Sequence, residues 1–393
     1  MPAEAEHIHN RTPTRRSYDL VVVGAGLIGL SCAWRAAQAG MSVLVLERDE
    51  PGSGASGVAA GMLAPVTEAS FGEEALLDLN LRGRELWAGF AAELEELSGM
   101  PSGYAASGAL VVAAERDDVD ELRRLYAFQR RLGLASEWMG ARDCRRLEPG
   151  LSPRVGGAIL APDDGHVDPA AVVRALAAAL AEAGGELVAG AEVESLVIED
   201  GRVTGVRTAG GHSRVAGAVL LAAGAWTAGG MLAADSGAPA VRPVKGQLLD
   251  LRTRPGHPVP ASRVIRTPRC YIVTRPDGRV VVGATVEEQG FDTAVTADAV
   301  FRLLEAAWEV LPEIGELELV RVRAGLRPAT PDNAPAIGRG GLDGLLWATG
   351  HYRNGVLLAP LTARAIADLL QGLDPASELD AFDPRRFDSA RAL

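Results

Sequence analysis

Residues Asp19 to Arg48 read DLVVVGAGLIGLSCAWRAAQAGMSVLVLER, and the order of residue types along this stretch decides the fold. Leu20 to Val23 is a short apolar run of β-branched character, suited to a buried strand. Gly24-Ala25-Gly26-Leu27-Ile28-Gly29 follows as G-x-G-x-x-G, and Leu30 to Ala39 continues as an alanine-rich helix that Gly40 stops at C′. Ser42 to Leu46 makes a second strand that ends in Glu47. In a dinucleotide site such glycines supply the tight turn, the backbone approach to a pyrophosphate and the close helix–strand packing. The helix start offers free N–H groups and a positive dipole end to the phosphates. Glu47 is placed to accept hydrogen bonds from a ribose. A glycine-rich turn without a ligand is the plainer alternative, but strand, glycines, helix, second strand and terminal acid all occur in order.

At 393 residues the chain is long enough for two domains, or for one large domain holding an insert. Its 48% hydrophobic and 23% charged residues are those of an ordinary globular protein. Lys and Arg number 39 against 51 Asp and Glu, a net charge of −12 without any basic block, which argues against nucleic acid as a partner. Cys32, Cys144 and Cys270 are odd in number and widely spaced, so neither a disulfide framework nor a zinc site is expected, and a cytoplasmic location follows. No apolar run is long enough to span a membrane. Residues 1–17 read as a flexible tail; Arg15-Arg16 hints at an export signal, but the apolar stretch after it is already the first strand.

Further along, Pro51 to Met62 is rich in small residues that let backbone lie against a ligand, or that form a flexible surface loop. Helices are expected over 74–97, 117–132, 170–183 (capped by Asp168-Pro169), 298–311 and 357–370. Three pieces, 192–198, 203–208 and 213–216, read as an antiparallel insert, and Ala218 to Trp226 as a separate strand returning to the parallel sheet. Strands are also expected at 109–113, 241–251, 271–282 (around the Pro276-Asp277-Gly278 turn), 319–323 and 344–349. The fold class is α/β: a Rossmann-like nucleotide domain with a mostly parallel sheet, interrupted by a β-rich antiparallel domain. The nucleotide domain is placed at 18–64, 150–235 and 326–375, the second domain at 65–149 and 236–325, and a C-terminal tail at 376–393.

Ala60-Gly61-Met62-Leu63, Pro243-Val244-Lys245-Gly246, Cys270-Tyr271-Ile272-Val273, Gly283-Ala284-Thr285, Ala324-Gly325-Leu326-Arg327-Pro328 and Gly350-His351-Tyr352-Arg353-Asn354-Gly355 occur in this order. With them the chain, from Tyr18 to about Leu370, resembles the D-amino-acid oxidase superfamily of FAD-dependent amine oxidases, above all its glycine-oxidising branch that serves thiamine-thiazole synthesis. The resemblance implies the two-domain fold of that superfamily and FAD as cofactor. Flavin contacts would fall at Gly24, Gly26, Leu27, Ile28, Gly29, Glu47, Arg48, Ala55, Ser56, Ala60, Gly61, Met62, Val193 and Gly224. They would continue along the turn His351, Tyr352, Arg353, Asn354, Gly355, Val356 and Leu357, which opens a helix whose N–H groups suit the negative charge of a reduced flavin.

By the same resemblance, Tyr271, Arg327 and Arg353 would hold the substrate carboxylate, for which arginine's fixed fork of donors is well shaped. Taken alone, Arg327 fits a surface ion pair and Tyr271 a core position. Val286 stands where the branch carries Met and would line the substrate pocket, shortening one wall. No cysteine follows Cys270, so the FAD is expected to be non-covalent. The implied reaction moves hydride from the glycine Cα to flavin N5, with the imine hydrolysed to glyoxylate and ammonia and molecular oxygen reduced to hydrogen peroxide. A homotetramer and a hand-over of imine to a thiazole synthase are implied as well. His351 reads as part of the flavin turn and His166 as structural, rather than as bases. Alternatives are a sarcosine or D-amino-acid oxidase or dehydrogenase of the same superfamily and, in another class, an NAD-dependent dehydrogenase or a non-catalytic nucleotide-binding module.

Overall fold

The computed structural model describes residues 13–229, 237–374 and 377–391. Residues 1–12 of the expected tail, and the expected boundaries at 235/236 and 375/376, lie outside the described residues. Strand Ser17–Val23 occupies the middle of the first sheet, with Leu20, Val21 and Val22 wholly buried. Ser17 therefore belongs to this strand and not to the tail.

Five strands of the first sheet run parallel, in the order Leu345–Thr349, Ser213–Leu221, Ser17–Val23, Val43–Leu46 and Glu186–Val188. Ala336–Arg339 closes one edge antiparallel, and the hairpin Val193–Glu199/Arg202–Thr208 pairs with the start of Ser213–Leu221. The sequence reading made that last strand two. It is one, because its first half serves the hairpin and its second half the parallel sheet; Gly224–Trp226 is a 3-10 turn.

The second sheet is antiparallel except for one pair, in the order Glu318–Ala329, Arg242–Arg252, Arg279–Gly283, Tyr271–Thr274, Val264–Arg266, Ala109–Ala113, Gly157–Ala161 and Glu137–Gly140. Two of its strands cross the expected domain limits. Gly157–Ala161 pairs here and not in the nucleotide half, and Glu318–Ala329 runs without a break through the expected boundary at 325/326. The long helix Glu74–Ser98 crosses them in the other direction. Its Leu76, Leu79, Trp87, Phe90 and Leu94 share one core with Leu20, Val22 and Val45 of the first sheet.

Helices Leu27–Gln38, Pro169–Glu182 and Gly355–Leu370 cover the first sheet together with Glu74–Ser98. Asp168 caps Pro169–Glu182 by accepting from the amides of Ala170 and Ala171 at 3.2 and 3.4 Å, with Pro169 at the first helical position. Gly355–Leu370 contains Pro360, which has no N–H for the Val356 carbonyl one turn earlier. The buried Trp87 indole fills that place, its Nε1–H donating to the carbonyls of Val356 and Leu357 at 3.2 and 3.0 Å. Replacing Trp87 by Phe should therefore lower the unfolding free energy by about 1–2 kcal/mol through the lost donor. A urea midpoint equal to the wild type's would refute this role.

Candidate active site

A cavity of about 1010 Å³ lies between the two sheets, at the upper end of the size range for small-molecule sites. One end is the glycine-rich turn. Gly24 has φ +106°, and a β-carbon there would fall 2.6 Å from the Ala222 carbonyl oxygen; one on Gly29 would fall 2.0 Å from the Gly24 carbonyl oxygen. Helix Leu27–Gln38 can thus start directly against the ends of the central strands, its N-cap Gly26 having no side chain to bond the first amides. The Glu47 carboxylate accepts from the amides of Ala25 at 2.7 Å and Asp49 at 3.0 Å, which fixes it at the cavity wall. Val193 lies beside it, since the Ala191 amide bonds the Glu47 carbonyl at 2.7 Å.

The small-residue stretch 51–62 is a strap joining the two sheets. The Gly52 amide donates to the Ala25 carbonyl, and the Leu27 amide to Ser56 Oγ, both at 2.9 Å. On the opposite side Arg323 donates to the Gly57 carbonyl, and the buried Arg275 guanidinium donates to Ala60 and Val167 at 3.0 and 2.9 Å. Gly61, at φ +87°, has no room for a side chain, because a β-carbon would meet the Val167 carbonyl oxygen at 2.1 Å. Backbone carbonyls held on two sides make the strap a fixed wall.

At the other end, Arg327 and Tyr271 come from separate strands and lie flat across the second sheet toward each other. Two glycines on the intervening strands make this possible. A β-carbon on Gly246 would fall 2.4 Å from the Arg327 guanidinium, and one on Gly283 would fall 2.5 Å from the Tyr271 hydroxyl. The Arg327 side chain is steadied by the carbonyls of Thr285 at 3.1 Å and Lys245 at 3.4 Å. Burial raises the Tyr271 phenol above its ordinary range, while the hydrogen-bonded Arg327 pulls it down. The hydroxyl stays protonated near neutrality, so the pair presents a fixed cation and an O–H donor to one point of the cavity.

Most of the expected cofactor residues line the same cavity: Gly24, Gly26, Leu27, Ile28, Glu47, Arg48, Ala55, Ser56, Ala60, Gly61, Met62, Val193, Gly224, His351, Tyr352, Arg353, Gly355 and Val356. Gly29, Asn354 and Leu357 do not. Gly29 is taken up by helix packing, Asn354 is the buried N-cap of the last helix, and Leu357 lies in the core. Arg353 reaches the cavity but is one-third exposed and 3.4 Å from Glu73. Val286 is a correction: it is 64% exposed and outside the lining, because the segment stays paired to strand Arg242–Arg252 at Thr285 and Glu287 and the residue between them faces solvent, while Ala284 and Phe291 line the cavity. Glu68, Trp226 and Phe291 also line the cavity and are absent from the sequence-based set. The Arg48 guanidinium stacks 4.7 Å above Trp226, whose ring lies 6.1 Å from Phe291, and no spacing in the sequence brings these three together.

Burial shifts three titratable groups toward their neutral forms. Burial pushes His351 down to about 3, with Nε2 3.0 Å from Thr362 Oγ1. His166 is lowered to about 4 by burial and by the nearby Arg275. Asp164 is raised to about 6 by burial, against three hydrogen bonds from Val66 and Thr67. Neither histidine is a free base at the cavity. Among the described residues no group of His, Cys, Asp and Glu is arranged to hold a metal ion, and no helix is long and apolar enough to cross a membrane.

Comparison with known proteins agrees with this geometry. The family model described as FAD dependent oxidoreductase matches residues 19–369. Glycine oxidase of Geobacillus kaustophilus is 36% identical over 375 residues, covering 94% of this chain and 97% of the relative. Its crystal structure superposes with a TM-score of 0.87, over 94% of this chain and 99% of that one. The bifunctional protein ThiO/ThiG of Synechocystis is 36% identical over 94% of this chain, which spans about half (54%) of that relative's length. Iminodiacetate oxidase from Chelativorans is 28% identical, with a TM-score of 0.84 over 93% of this chain and 98% of that one.

The neutral buried histidines give stability a definite pH dependence. Both have folded pKa values below the ordinary 6.5, so on acidification from 6.5 the unfolded chain takes up protons that the folded one refuses, and stability falls until about 4. Asp164 works in the opposite sense, since its folded carboxyl holds a proton between about 6 and 3.8. Two groups against one leave a net loss of about 1.4 kcal/mol per pH unit per excess proton. His351→Gln should flatten the slope of unfolding free energy against pH between 6.5 and 4; an unchanged slope would rule out a neutral His351.

Proposed function

The chain belongs to the FAD-dependent oxidoreductase family, and from that premise we propose that it oxidises glycine to an imine, which water converts to glyoxylate and ammonia while oxygen becomes hydrogen peroxide. The observation that carries this reading is the Tyr271–Arg327 pair, fixed over two glycines at one end of a cavity whose other end is a dinucleotide turn. FAD fits the residues present: a glycine-capped helix start for the pyrophosphate, Glu47 for a ribose, and the strap Ala55–Met62 as a wall against the ring system. Bound non-covalently, it supplies the two-electron acceptor of the oxidation and its return to oxygen.

The protein's own part is positioning and electrostatics. Arg327 binds the glycine carboxylate, with Tyr271 donating its hydroxyl to the same group. Arg353, at the cavity edge, adds positive charge there. Helix Gly355–Leu370 begins at the cavity with unpaired first-turn amides, a polarity that favours negative charge gathering on the cofactor ring. No side chain is needed as a strong base, because the amine releases its proton to solvent before oxidation. The small-substrate end is walled by Tyr271, Leu248 and Ala284, in keeping with a short amino acid.

The reading extends to the surroundings of the enzyme. A place in thiamine-thiazole synthesis, with a thiazole synthase as partner, is supported by the bifunctional ThiO/ThiG relative, and thiamine auxotrophy on gene deletion tests it. Three buried, unpaired cysteines support a cytoplasmic location, to be checked by fractionation. Exposed Phe301 and Trp308 on one helix, with Leu319 and Val320 nearby in sequence, support self-association into a homotetramer, which sedimentation velocity would reveal.

Purified protein is expected to be yellow, to lose its band near ~450 nm when glycine is added without oxygen, and to regain it in air with release of peroxide. A yellow protein that glycine fails to bleach would refute glycine as substrate and turn attention to sarcosine and D-amino acids. Absence of colour after adding FAD would refute the cofactor. Arg327→Ala should keep FAD but raise KM for glycine, a loss of roughly 2–5 kcal/mol for an unpaired carboxylate. Steady-state kinetics with an unchanged KM would remove Arg327 from the carboxylate site.

A further inference from the structure

The cavity end that holds Tyr271 and Arg327 also carries one acidic side chain, Glu68. The other acids of the lining, Glu47, Asp49, Glu192 and Glu194, stand around Val193 and the glycine-rich turn. Glu68 is near enough to Tyr271 for its charge to oppose ionisation of the phenol. Its side chain is only 16% exposed, and among the described residues its ion-pair partner is Arg266, with Nη2 3.7 Å from Oε1, too far for a hydrogen bond. The other end of that guanidinium, Nη1, is engaged by the Thr67 carbonyl.

Among the described residues no hydrogen-bond donor reaches the Glu68 carboxylate. A partly exposed carboxylate in this position is free to take a donor, and the side left open to it is the cavity. An amino acid held by Tyr271 and Arg327 brings a carboxylate and an ammonium on neighbouring atoms. The wall thus offers a cation and a hydroxyl to the first, and an anion to the second.

We propose that Glu68 sets the charge selectivity of the substrate end: it receives the amine of a monocarboxylic amino acid and turns away molecules that carry a second carboxylate. The inference rests on the carboxylate role of Tyr271 and Arg327. A second acid group placed opposite them would enter the field of a half-buried carboxylate, where like charges repel strongly. Glycine meets the same field with its ammonium group. Arg266 weakens the field without cancelling it, since its charge stands 3.7 Å off and is itself partly exposed.

The test compares dissociation constants of acetate and malonate, read from perturbation of the flavin spectrum of the holoenzyme, in wild type and in Glu68→Gln. The substitution keeps the shape and removes the charge. Malonate should tighten relative to acetate by about tenfold or more, and kcat/KM for iminodiacetate relative to glycine should rise in parallel. Arg266→Met, which strips away the counter-cation, should move the malonate-to-acetate ratio the opposite way, so the inference does not depend on one variant folding. Ratios within twofold of wild type in both variants would overturn it while leaving the carboxylate clamp intact. Failure of wild type to bind acetate at all would overturn the clamp, and this inference with it.

Discussion

The structure depends on a contact between backbones. The first helix approaches the strand ends so closely at Gly29 that the Gly24 carbonyl occupies the space a side chain would need, and Gly24 in turn lies against Ala222. Three chain segments thereby meet at one point without intervening side chains. That closeness lets the helix begin at the cavity floor and directs its free amides into it. It also places Glu47, at the end of the neighbouring strand, within reach of Ala25. Lengthening any of these residues by a methyl group would force the helix away, so the arrangement tolerates glycine and little else.

The same device recurs at the opposite end. Gly246 and Gly283 remove two side chains from the face of the antiparallel sheet, and Arg327 and Tyr271 lie down in the space. A guanidinium resting on a strand has few rotamers left, so less entropy is lost when it takes up a ligand. Between the two ends, the strap of small residues is fastened by arginines from the second sheet: Arg275 at Ala60 and Arg323 at Gly57. Positive charge is thus spent on backbone carbonyls to position a wall, and only Arg327 and Arg353 stand in the lining near the substrate end.

What could be read from sequence follows from how local each signal is. The strand–glycine–helix unit and the Asp168-Pro169 cap are written within a few residues, and they occur where expected. Domain limits were harder, because they depend on which sheet a strand joins. Gly157–Ala161 and Glu318–Ala329 look like any apolar strands, and helix Glu74–Ser98 has the same periodicity whichever core it faces. Six motifs in fixed order were enough to suggest Tyr271 and Arg327, but not that two glycines position them. Val286 follows a recognisable turn, yet its outward direction is set by pairing of its neighbours Thr285 and Glu287 with a strand distant in sequence. Glu68 has no neighbouring motif; only the folded chain brings it beside Tyr271.

One feature of the cavity reaches beyond catalysis. Its walls come from both sheets, and the strap between them is held by hydrogen bonds on either side. A molecule filling that space touches both halves at once and acts as an internal adhesive. By mass action, free cofactor at a thousand times its dissociation constant adds about 4 kcal/mol to the folded state, a large part of the total stability of an ordinary domain. The cofactor-free chain lacks that contribution, so the strap should open more often and be cut more readily by proteases than in the flavin-bound form.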